Sequence, residues 1–401
     1  MGRKEPHHGA MMSGRKTRKA QETFLLWNAF GGHNLGDEAI LWALSRQLYR
    51  LYPNAKIYAL VPRHALMEQA KAVYKEWRVE PVYGFWRVYF GALRQARLIV
   101  GGGHLVDNVS RGMSSVITSS FFFVNWLYGM KPMILFVGAE RVTRFVPHTI
   151  VKWVYSLATI VTCRDPESTK ALNESGIPKE KLLTAKDVVF SLDRNLVPQW
   201  KATTLPGLPR VAVVVAYDRR RMREPDTSSV KLIQMLLQSG YIVELIAHDI
   251  REDYDRGALL RVKSKLEDHP RLIVHHADTT AEAFEIYSRV DAVISGRMHP
   301  LIMAALAGTL PIAYGGRVKV KSLTEMSGIP TLRQDDPQRE VDEIGQLLNQ
   351  KAYLTERISQ SIEGFRGEVE VAIEKAFAFQ SSTNSVTARA EVGFERPSEG
   401  L

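Results

Sequence analysis

Residues 291–321 read DAVISGRMHPLIMAALAGTLPIAYGGRVKVK. The apolar run Ala292 to Ile294 is typical of a buried strand, and so is the run Leu310 to Tyr314. Between them, Leu301 to Ala307 predicts a compact apolar helix with Pro300 at its first position, where proline is favoured. Strand, helix and strand in succession indicate a parallel sheet covered by helices.

The turns of this segment carry several cations. Arg297 and His299 follow the first strand, and Arg317, Lys319 and Lys321 follow the second. Ligands gather at strand ends in open α/β sheets, and helix N-termini attract anions. Arginine can hold a carboxylate or phosphate with two parallel hydrogen bonds, and histidine can exchange a proton near neutral pH. The pattern predicts a site for an anionic ligand; the alternative is a basic surface loop.

Alternating strand and helix patterns extend from this segment in two series. The first begins with the strand Thr23 to Trp27 and the second with Val211 to Val215. Two such series predict an α/β protein with two doubly wound, Rossmann-like domains. The predicted order is a disordered basic tail (1–21), an N-terminal domain (22–195), a proline-rich linker (196–209), a C-terminal domain (210–335), a helical extension (336–380) and a disordered tail (381–401).

The composition is that of an ordinary globular protein, with 45% of the 401 residues hydrophobic and 24% charged. About half of the net charge of +10 comes from the first twenty residues. We expect no nucleic-acid partner, because the chain has no zinc-finger spacing and no RNP-like aromatic motif. Residues 3–19 could hold the protein peripherally at an anionic inner membrane face; the alternative is a disordered start without a role. The single cysteine, Cys163, fits a reducing compartment, so we expect a cytoplasmic protein.

The turn after the first strand, AFGGHNLGD, leads into a helix. Gly36 permits close approach of the backbone to a ligand, Asp37 is placed as an N-cap, and Glu38 suits the positive end of the helix dipole. We expect Asn34 and these residues to bind sugar hydroxyls or to act as a local base. The alternative is a capped turn and nothing more. The glycine spacing fits neither a P-loop nor a dinucleotide fingerprint.

Two further turns end strands of the first series. Gly102 and Gly103, in the triplet that starts at Gly101, predict a loop that lines a ligand. Arg164 follows the strand Thr159 to Thr162 and is expected to point into the same crevice. The alternatives are a flexible glycine loop and an arginine that only ties its own turn through Asp165.

These motifs together resemble the polysaccharide pyruvyl transferase family. The resemblance rests on N-x-G-D-E-A-I-L at Asn34 to Leu41, on the glycine triplet at Gly101, and on R-D-x-E-S at Arg164. It rests most on R-[LM]-H before an A-A-x-A-G helix and a small-residue turn with lysine, at Arg297 to Lys319. The motifs stand in the family's order and span about residues 23 to 330.

The resemblance implies two Rossmann-like domains arranged as in GT-B glycosyltransferases, with the acceptor on the N-terminal domain and phosphoenolpyruvate on the C-terminal one. It implies transfer of the enolpyruvyl unit of phosphoenolpyruvate onto two hydroxyls of a sugar. The products are a cyclic pyruvate ketal and phosphate, in the synthesis of cell-surface or exopolysaccharides. The saccharide acceptor can be free or lipid-linked, and the sequence leaves its sugar and its linkage open.

The resemblance also implies roles for site residues. His299 is the expected proton donor, and Arg297, Arg164 and a lysine are expected to contact phosphoenolpyruvate. Where the family often has Y-D-P-K, this chain has YGGRVK at 314–319, so Lys319, Lys321 and Arg317 remain alternatives for the lysine.

We expect no cofactor beyond phosphoenolpyruvate as co-substrate, and no metal, since His104 and Asp107 alone are too few ligands. One alternative function is a nucleotide-sugar glycosyltransferase of the same two-domain shape. It is disfavoured because Leu301 to Ala307 contains no acid to hold a ribose or sugar. A second alternative is a glycan-binding protein without catalytic activity.

Overall fold

The computed structural model describes residues 21–61, 68–106, 113–141, 145–201, 207–216, 227–266, 268–315, 318–333 and 336–392. The basic residues 3–19, Asp107 and Arg317 lie outside these ranges, so the expectations placed on them stay predictions.

The first sheet contains eight strands, and every pairing that joins them is parallel. Seven follow the order β3-β2-β1-β4-β6-β7-β8, and β5 pairs with β6. The strands are β1 (Thr23–Trp27), β2 (Lys56–Leu60), β3 (Val79–Val82), β4 (Arg97–Gly101), β5 (His104–Val106), β6 (Met133–Ala139), β7 (Val161–Cys163) and β8 (Leu182–Thr184).

The second sheet contains six parallel strands in the order β11-β10-β9-β12-β13-β14. They are β9 (Arg210–Val215), β10 (Ile242–Ala247), β11 (Leu272–Val274), β12 (Ala292–Ser295), β13 (Leu310–Tyr314) and β14 (Thr331–Leu332). The predicted fold class, two doubly wound parallel sheets with a helical extension, is confirmed.

Helices connect the strands. In the first half they are α1 (Leu35–Leu51), α2 (Glu68–Glu76), a π-helix (Arg87–Ala92) continued by α3 (Leu93–Gln95), α4 (Met113–Leu127), α5 (Phe145–Leu157) and α6 (Pro166–Glu174). Short 3-10 helices follow at Lys179–Lys181, Val188–Ser191 and Arg194–Leu196. In the second half they are α7 (Thr227–Gln238), α8 (Asp255–Ser264), α9 (Thr280–Tyr287), α10 (Met298–Leu306), α11 (Val318–Ser327), α12 (Pro337–Asn349) and α13 (Lys351–Val392).

The first sheet is buried on both faces, because successive side chains of a strand point to opposite sides. Leu25 belongs to one apolar cluster, whereas its neighbours Phe24 and Leu26 belong to another. In β4, Ile99 shares a face with Phe24, and Leu98 shares a face with Leu25. Such continuous apolar strands are typical of parallel sheets sandwiched between helices.

In each sheet, the order in which the chain adds strands reverses at one point. In the first sheet β1 lies between β2 and β4, and in the second β9 lies between β10 and β12. The carboxyl ends of strands beside such a switch point form the crevice in which ligands bind. The strand order therefore places the ends of β1, β4, β10 and β12 at the edges where a site is expected.

The helix α13 runs back across the molecule. Phe365 packs edge-on against Phe190 of the first half, and Phe377 packs against Phe24. α13 also contacts α10 and β13 of the second half. It continues to Val392, well past the boundary at 380 that the sequence predicts for the helical extension. No helix among the described residues is long and apolar enough to cross a bilayer.

The start of α10 differs from the sequence prediction. The helix begins at Met298, so Pro300 is the third helical residue rather than the first. Proline is tolerated there because the N–H groups of the first turn have no partner inside the helix. The earlier start places His299 within the first turn.

Candidate active site

A cleft opens where the strand ends of the two sheets face each other. It encloses about 720 Å³, including the part open to solvent. Its lining comes from both domains: Asn34, Asp37, Gly103, Arg164, His248, Gly296, Arg297, Met298, His299, Pro300, Lys319 and Val320. Seven of the ten predicted site residues are in this set; Gly36, Glu38 and Gly102 are not.

Backbone hydrogen bonds fix the two domains against each other at one end of the cleft. The N–H of Leu35 donates to the carbonyl of His248 over 2.9 Å, and the N–H of Ile250 donates to the carbonyl of His33 over 2.9 Å. Asn34 and Asp249 form an antiparallel bridge between these bonds. The turn that starts α1 is therefore held in register with the end of β10.

Arg297 is the N-cap residue of α10 and has extended backbone angles. Its N–H donates to the hydroxyl of Ser295 over 2.9 Å. Its guanidinium pairs with Asp255, whose side chain is fully buried at the start of α8. Nε of Arg297 is buried, and within the described residues it has no hydrogen-bond partner. One side of the guanidinium is thus anchored, and a donor remains for a ligand.

His299 lies between Gly36 on one side and Asp187 on the other. A Cβ placed on Gly36 would lie 2.2 Å from Nδ1 of His299. Only the absence of a side chain at position 36 therefore allows the imidazole to sit here. Nε2 lies 3.7 Å from Oδ2 of Asp187, too far for a hydrogen bond but close enough for attraction between charges. Gly36 does not line the cleft; it makes room for a residue that does.

Asp187 is a component of the site that the sequence analysis missed. It is buried, accepts from the N–H of Val189 over 3.1 Å, and receives NH1 of Arg164 over 3.2 Å. Burial pushes the pKa of its carboxyl upward, but His299 and Arg164 outweigh burial, so the pKa lies below its usual value of 3.8. An ionised Asp187 thus holds Arg164 in place and lies beside His299.

Arg164 is buried and points into the cleft from the end of β7. It lies against Gly138 of β6, where a Cβ would come within 2.8 Å of Nε. Its ion pair with Asp187, at 3.2 Å, is closer than the one with Asp165, at 3.8 Å. Asp165 instead caps α6 by accepting from the N–H of Ser168 over 2.6 Å. Arg164 therefore does more than tie its own turn.

At the start of α1, Asn34 and Asp37 have different roles. Asn34, not Asp37, is the N-cap, and its Oδ1 accepts from the N–H groups of Gly36 (2.9 Å) and Asp37 (3.3 Å). Burial raises the pKa of Asp37 to about 6, although the nearby His299 opposes the shift. A carboxyl with this pKa can take up a proton near neutral pH.

Glu38 points away from the cleft. It is buried, and its Oε1 accepts from the N–H groups of Gly31 and Gly32 over 2.9 Å each. Burial raises the pKa of its carboxyl to about 7, against the effect of these two donors. Glu38 therefore braces the glycine-rich turn that carries Asn34.

The two predicted glycines of the triplet also differ. Gly102 and Gly103 both have positive φ angles, 70° and 69°, which favour glycine. A Cβ on Gly102 would lie 2.3 Å from a methyl group of Ile40 in α1, so this residue allows α1 to pack on β4. Gly103 lines the cleft beside Asn28.

Of the three alternatives for the lysine, Lys319 and Lys321 lie in different places, and Arg317 lies outside the residues that the structure describes. Lys319, in the first turn of α11, lines the cleft with Arg164, Arg297 and His299. Lys321 lines a neighbouring groove instead and pairs with Glu325 over 3.8 Å. Lys319 also borders that groove, which shares Arg164 with the main cleft.

His248 lines the cleft although its sequence signal, a histidine before an aspartate at a strand end, was weak. It is buried, and Nε2 lies 2.6 Å from the hydroxyl of Tyr287. Burial, and then the positive charge of Arg297, hold the pKa of His248 well below 6.5. It is therefore neutral at physiological pH. Among the described residues there is no group of three or more His, Cys, Asp or Glu that could hold a metal ion.

Comparison with solved structures shows a GT-B fold. HepE of Anabaena, in complex with UDP-glucose, is 14% identical with a TM-score of 0.57, over 90% of this chain and 99% of that one. The UDP-GlcNAc 2-epimerase of Neisseria meningitidis, bound to UDP-GlcNAc, is 11% identical with a TM-score of 0.57, over 89% and 99%. The O-GlcNAc transferase of Thermobaculum terrenum is 14% identical with a TM-score of 0.51, over 90% and 69%.

A search of curated proteins finds no significant match. The family profile described as polysaccharide pyruvyl transferase, in contrast, matches residues 34–315. The match begins at the cap of α1, includes every cleft residue up to Pro300, and ends after β13. The chain belongs to the polysaccharide pyruvyl transferase family.

Proposed function

We propose that this protein transfers the enolpyruvyl unit of phosphoenolpyruvate onto two hydroxyls of a sugar in a glycan acceptor. The products are a cyclic pyruvate ketal and inorganic phosphate. The observation that carries the proposal is the convergence of Arg164, Arg297, His299 and Lys319 on one cleft. Three fixed cations beside one histidine suit a small substrate that carries both a phosphate and a carboxylate.

The anchored cations support phosphoenolpyruvate binding in a fixed orientation. Arg164 is held by Asp187, and Arg297 is held by Asp255, so neither guanidinium must be ordered when the ligand arrives. Preorganised charges stabilise a developing negative charge without reorganisation during the reaction. They would bind the carboxylate and the phosphate, and stabilise the phosphate as it leaves.

His299 is the proposed proton donor to C3 of phosphoenolpyruvate. The carboxylate of Asp187 lies 3.7 Å from Nε2 of His299 and Gly36 lies on the other side, so the imidazole is held in one position in the cleft. The proton converts the methylene C3 into a methyl group and makes C2 an electrophile resembling an oxocarbenium ion. The first sugar hydroxyl then forms a bond from its oxygen to C2.

Asp37 is the proposed acceptor for a hydroxyl proton, because its raised pKa of about 6 and its place in the cleft suit that role. The second hydroxyl adds to C2 as the bond from C2 to the phosphate oxygen breaks. Two hydroxyl protons are released in total. One replaces the proton that His299 gave to C3, and the other leaves on hydrogen phosphate.

The alternative, transfer of a sugar from a nucleotide, is supported by the shared fold alone, since the solved neighbours are at most 14% identical. The helix that follows β12 reads MHPLIMAAL and contains no acid that could bind a ribose. No feature of the cleft therefore favours a nucleotide sugar. A glycan-binding protein without catalysis would have no use for the anchored pairs around Arg297 and His299.

Phosphate release tests the proposal. The protein is incubated with phosphoenolpyruvate and a panel of saccharide acceptors, and separately with UDP-sugars and the same acceptors. We expect acceptor-dependent release of phosphate and none of UDP. Release of UDP in its place would overturn the proposal, and so would the absence of a thermal shift with phosphoenolpyruvate, since a ligand of the folded state raises its stability.

A further inference from the structure

One side of the N-terminal domain exposes an unusual number of large apolar side chains. Eight of the exposed large hydrophobic residues in the described part of the chain fall between residues 85 and 153. Trp86 is 72% exposed, Trp126 is 49% exposed and Trp153 is 44% exposed. The others are Phe85, Phe90, Phe123, Leu127 and Tyr128; we call the eight together the aromatic face.

These side chains belong to three helical segments that lie side by side. The amide of Asn125 in α4 donates to the carbonyls of Leu93 (2.7 Å) and Ala96 (2.9 Å), which ties α4 to α3. The rings of Phe123 and Trp153 lie 5.7 Å apart, which joins α4 to α5. The three segments therefore form one helix layer, and the aromatic face lies on its outer side.

The inward sides of the same helices are already used. Val88, Leu93, Phe122 and Val154 are buried in the apolar cluster on one face of the first sheet. The outward aromatic rings contact mostly one another, as in the stack of Trp86 on Phe90 at 5.2 Å. Contiguous exposed apolar patches on a protein mark sites of interaction with a partner or a membrane.

On the described segments that carry the aromatic face, the charged residues have one sign. Arg87, Arg94 and Lys152 are exposed on the same segments. From Pro81 to Ala139, the residues that the structure describes include no Asp and no Glu. Tryptophan and tyrosine favour the boundary between lipid tails and headgroups, and lysine and arginine are attracted to anionic lipids.

We propose that the aromatic face docks this protein on the surface of an anionic lipid bilayer. The aromatic rings enter the headgroup boundary, and the surrounding cations contact lipid phosphates. A second copy of the chain is a poorer occupant, because pairing two such faces would bring cations against cations. The proposal is independent of the basic residues 3–19 and of the reaction in the cleft.

The topology relates the position of the aromatic face to that of the cleft. Phe85 and Trp86 follow shortly after β3, and Arg164 directly follows β7 of the same parallel sheet. Carboxyl ends of parallel strands lie at one edge, so part of the aromatic face lies at the sheet edge that forms the cleft. Leu127 and Tyr128 come shortly before β6 and lie toward the opposite edge, so a bilayer on the aromatic face would lie along the side of the domain, from the cleft edge to the other edge.

Vesicle binding tests the proposal with the full chain. Co-sedimentation is measured with vesicles of phosphatidylcholine alone and of phosphatidylcholine mixed with phosphatidylglycerol. The variant Trp86→Ser/Phe90→Ser/Trp126→Ser removes three exposed rings, and Leu260→Ser/Tyr353→Ser removes two exposed apolar side chains from elsewhere as the matched control. All are compared at equal folded fraction, checked by thermal melting.

We expect wild type to prefer the mixed vesicles and the triple variant to lose at least about tenfold in partitioning, because insertion of even one of the three rings contributes roughly that factor. The control should bind as wild type does. Arg87→Gln/Arg94→Gln should weaken the preference for phosphatidylglycerol. Brominated lipids should quench tryptophan fluorescence of wild type more than that of the triple variant.

Two results would overturn the proposal. One is unchanged vesicle binding by the triple variant, including the case in which deletion of residues 1–20 alone abolishes binding. The other is that light scattering finds a dimer of the wild type and a monomer of the triple variant, while vesicle binding persists. The aromatic face would then bind a second copy of the chain. If the triple variant still binds vesicles more weakly than wild type after residues 1–20 are deleted from both, docking through the aromatic face is supported.

Discussion

Among the helices that begin at the cleft, α1 of the N-terminal domain and α10 of the C-terminal domain have first turns built in opposite ways. At the start of α1, the side chain of Asn34 caps two N–H groups, and Asp37 and Glu38 follow in the first turn. At the start of α10, no side chain caps the helix and the first turn contains no acid. Arg297 and His299 stand there instead.

The difference favours the start of α10 as the place where the proposed anionic substrate would bind. The partial positive charge of α1 is satisfied within the chain by a cap and two acids. That of α10 has no such compensation, and it is reinforced by Arg297. An anion entering the cleft would therefore bind at α10, while α1 presents acceptors to hydroxyl groups.

The largest expected effect follows from His299→Ala. If His299 protonates C3 of phosphoenolpyruvate, turnover should fall by roughly 10²–10⁴ while phosphoenolpyruvate still binds, because general acid catalysis is typically worth that much. Turnover per folded molecule and the melting temperature are measured together. His276→Ala, at an exposed histidine of the same domain, is the matched control. Near-wild-type turnover would assign His299 a structural role and break the contrast between the two helix ends.

Gly36→Ala tests the contact that joins the two helix starts. The added Cβ would lie 2.2 Å from Nδ1 of His299, so the imidazole must move. We expect turnover to fall about 10²-fold, since displacing a catalytic group by about 1 Å can cost that much. In Gly367→Ala, also within a helix, the Cβ meets nothing within 4 Å, and activity should not change. Equal activity of the two variants would contradict the proposed position of His299.

Arg297→Ala should act mainly on binding. A hydrogen bond to a charged group typically contributes about 1.5–3 kcal/mol, so phosphoenolpyruvate affinity should fall about 10- to 100-fold. The variant also leaves Asp255 buried without its partner, so the melting temperature should fall. Arg297→Lys keeps the charge and separates the two effects. Arg289→Ala, at an exposed arginine paired with Glu285, is the control. If the two alanine variants have equal affinity for phosphoenolpyruvate, a specific contact between Arg297 and this ligand is refuted.

The sequence predicted most of the fold because parallel strands buried on both faces are continuous apolar runs. It predicted β1 and β13 with the bounds that the structure has. It missed β3, β5, β8 and β14, which have only two to four residues each. Pairing with neighbouring strands, which local sequence does not reveal, forms these edge strands.

The same limit explains which site residues were missed. Arg297 and His299 follow a strand that the sequence predicts, so their convergence could be expected. Asp187 follows β8, which was not predicted, and no signal marked it as part of the cleft. Gly138 lies within β6, and only the structure shows that Arg164 packs against it. Residues that position other residues have no local pattern, because their partners are distant in sequence.

The smallest expected effect concerns Asp37, an acid in the first turn of α1. Burial raises the pKa of this carboxyl from 3.8 to about 6. The folded state therefore holds the proton more tightly than the unfolded state, so Asp37 contributes stability below about pH 4 that is lost as the pH rises through about 6. Asp37→Asn should remove this loss: at about pH 8 the variant should melt at a higher temperature than wild type, relative to their difference at about pH 4. Glu38, whose pKa is raised to about 7, should keep its own contribution to stability in both proteins.

Asp37 should also affect the pH dependence of activity. If Asp37 accepts a hydroxyl proton, wild-type kcat/KM should rise as the pH passes about 6, and the variant should lack this rise. Melting curves and pH–rate profiles across this range provide the measurement. A variant that is less stable than wild type at the higher pH would mean that the ionised carboxylate stabilises the fold, and α1 would then present a structural anion to the cleft in place of a proton acceptor.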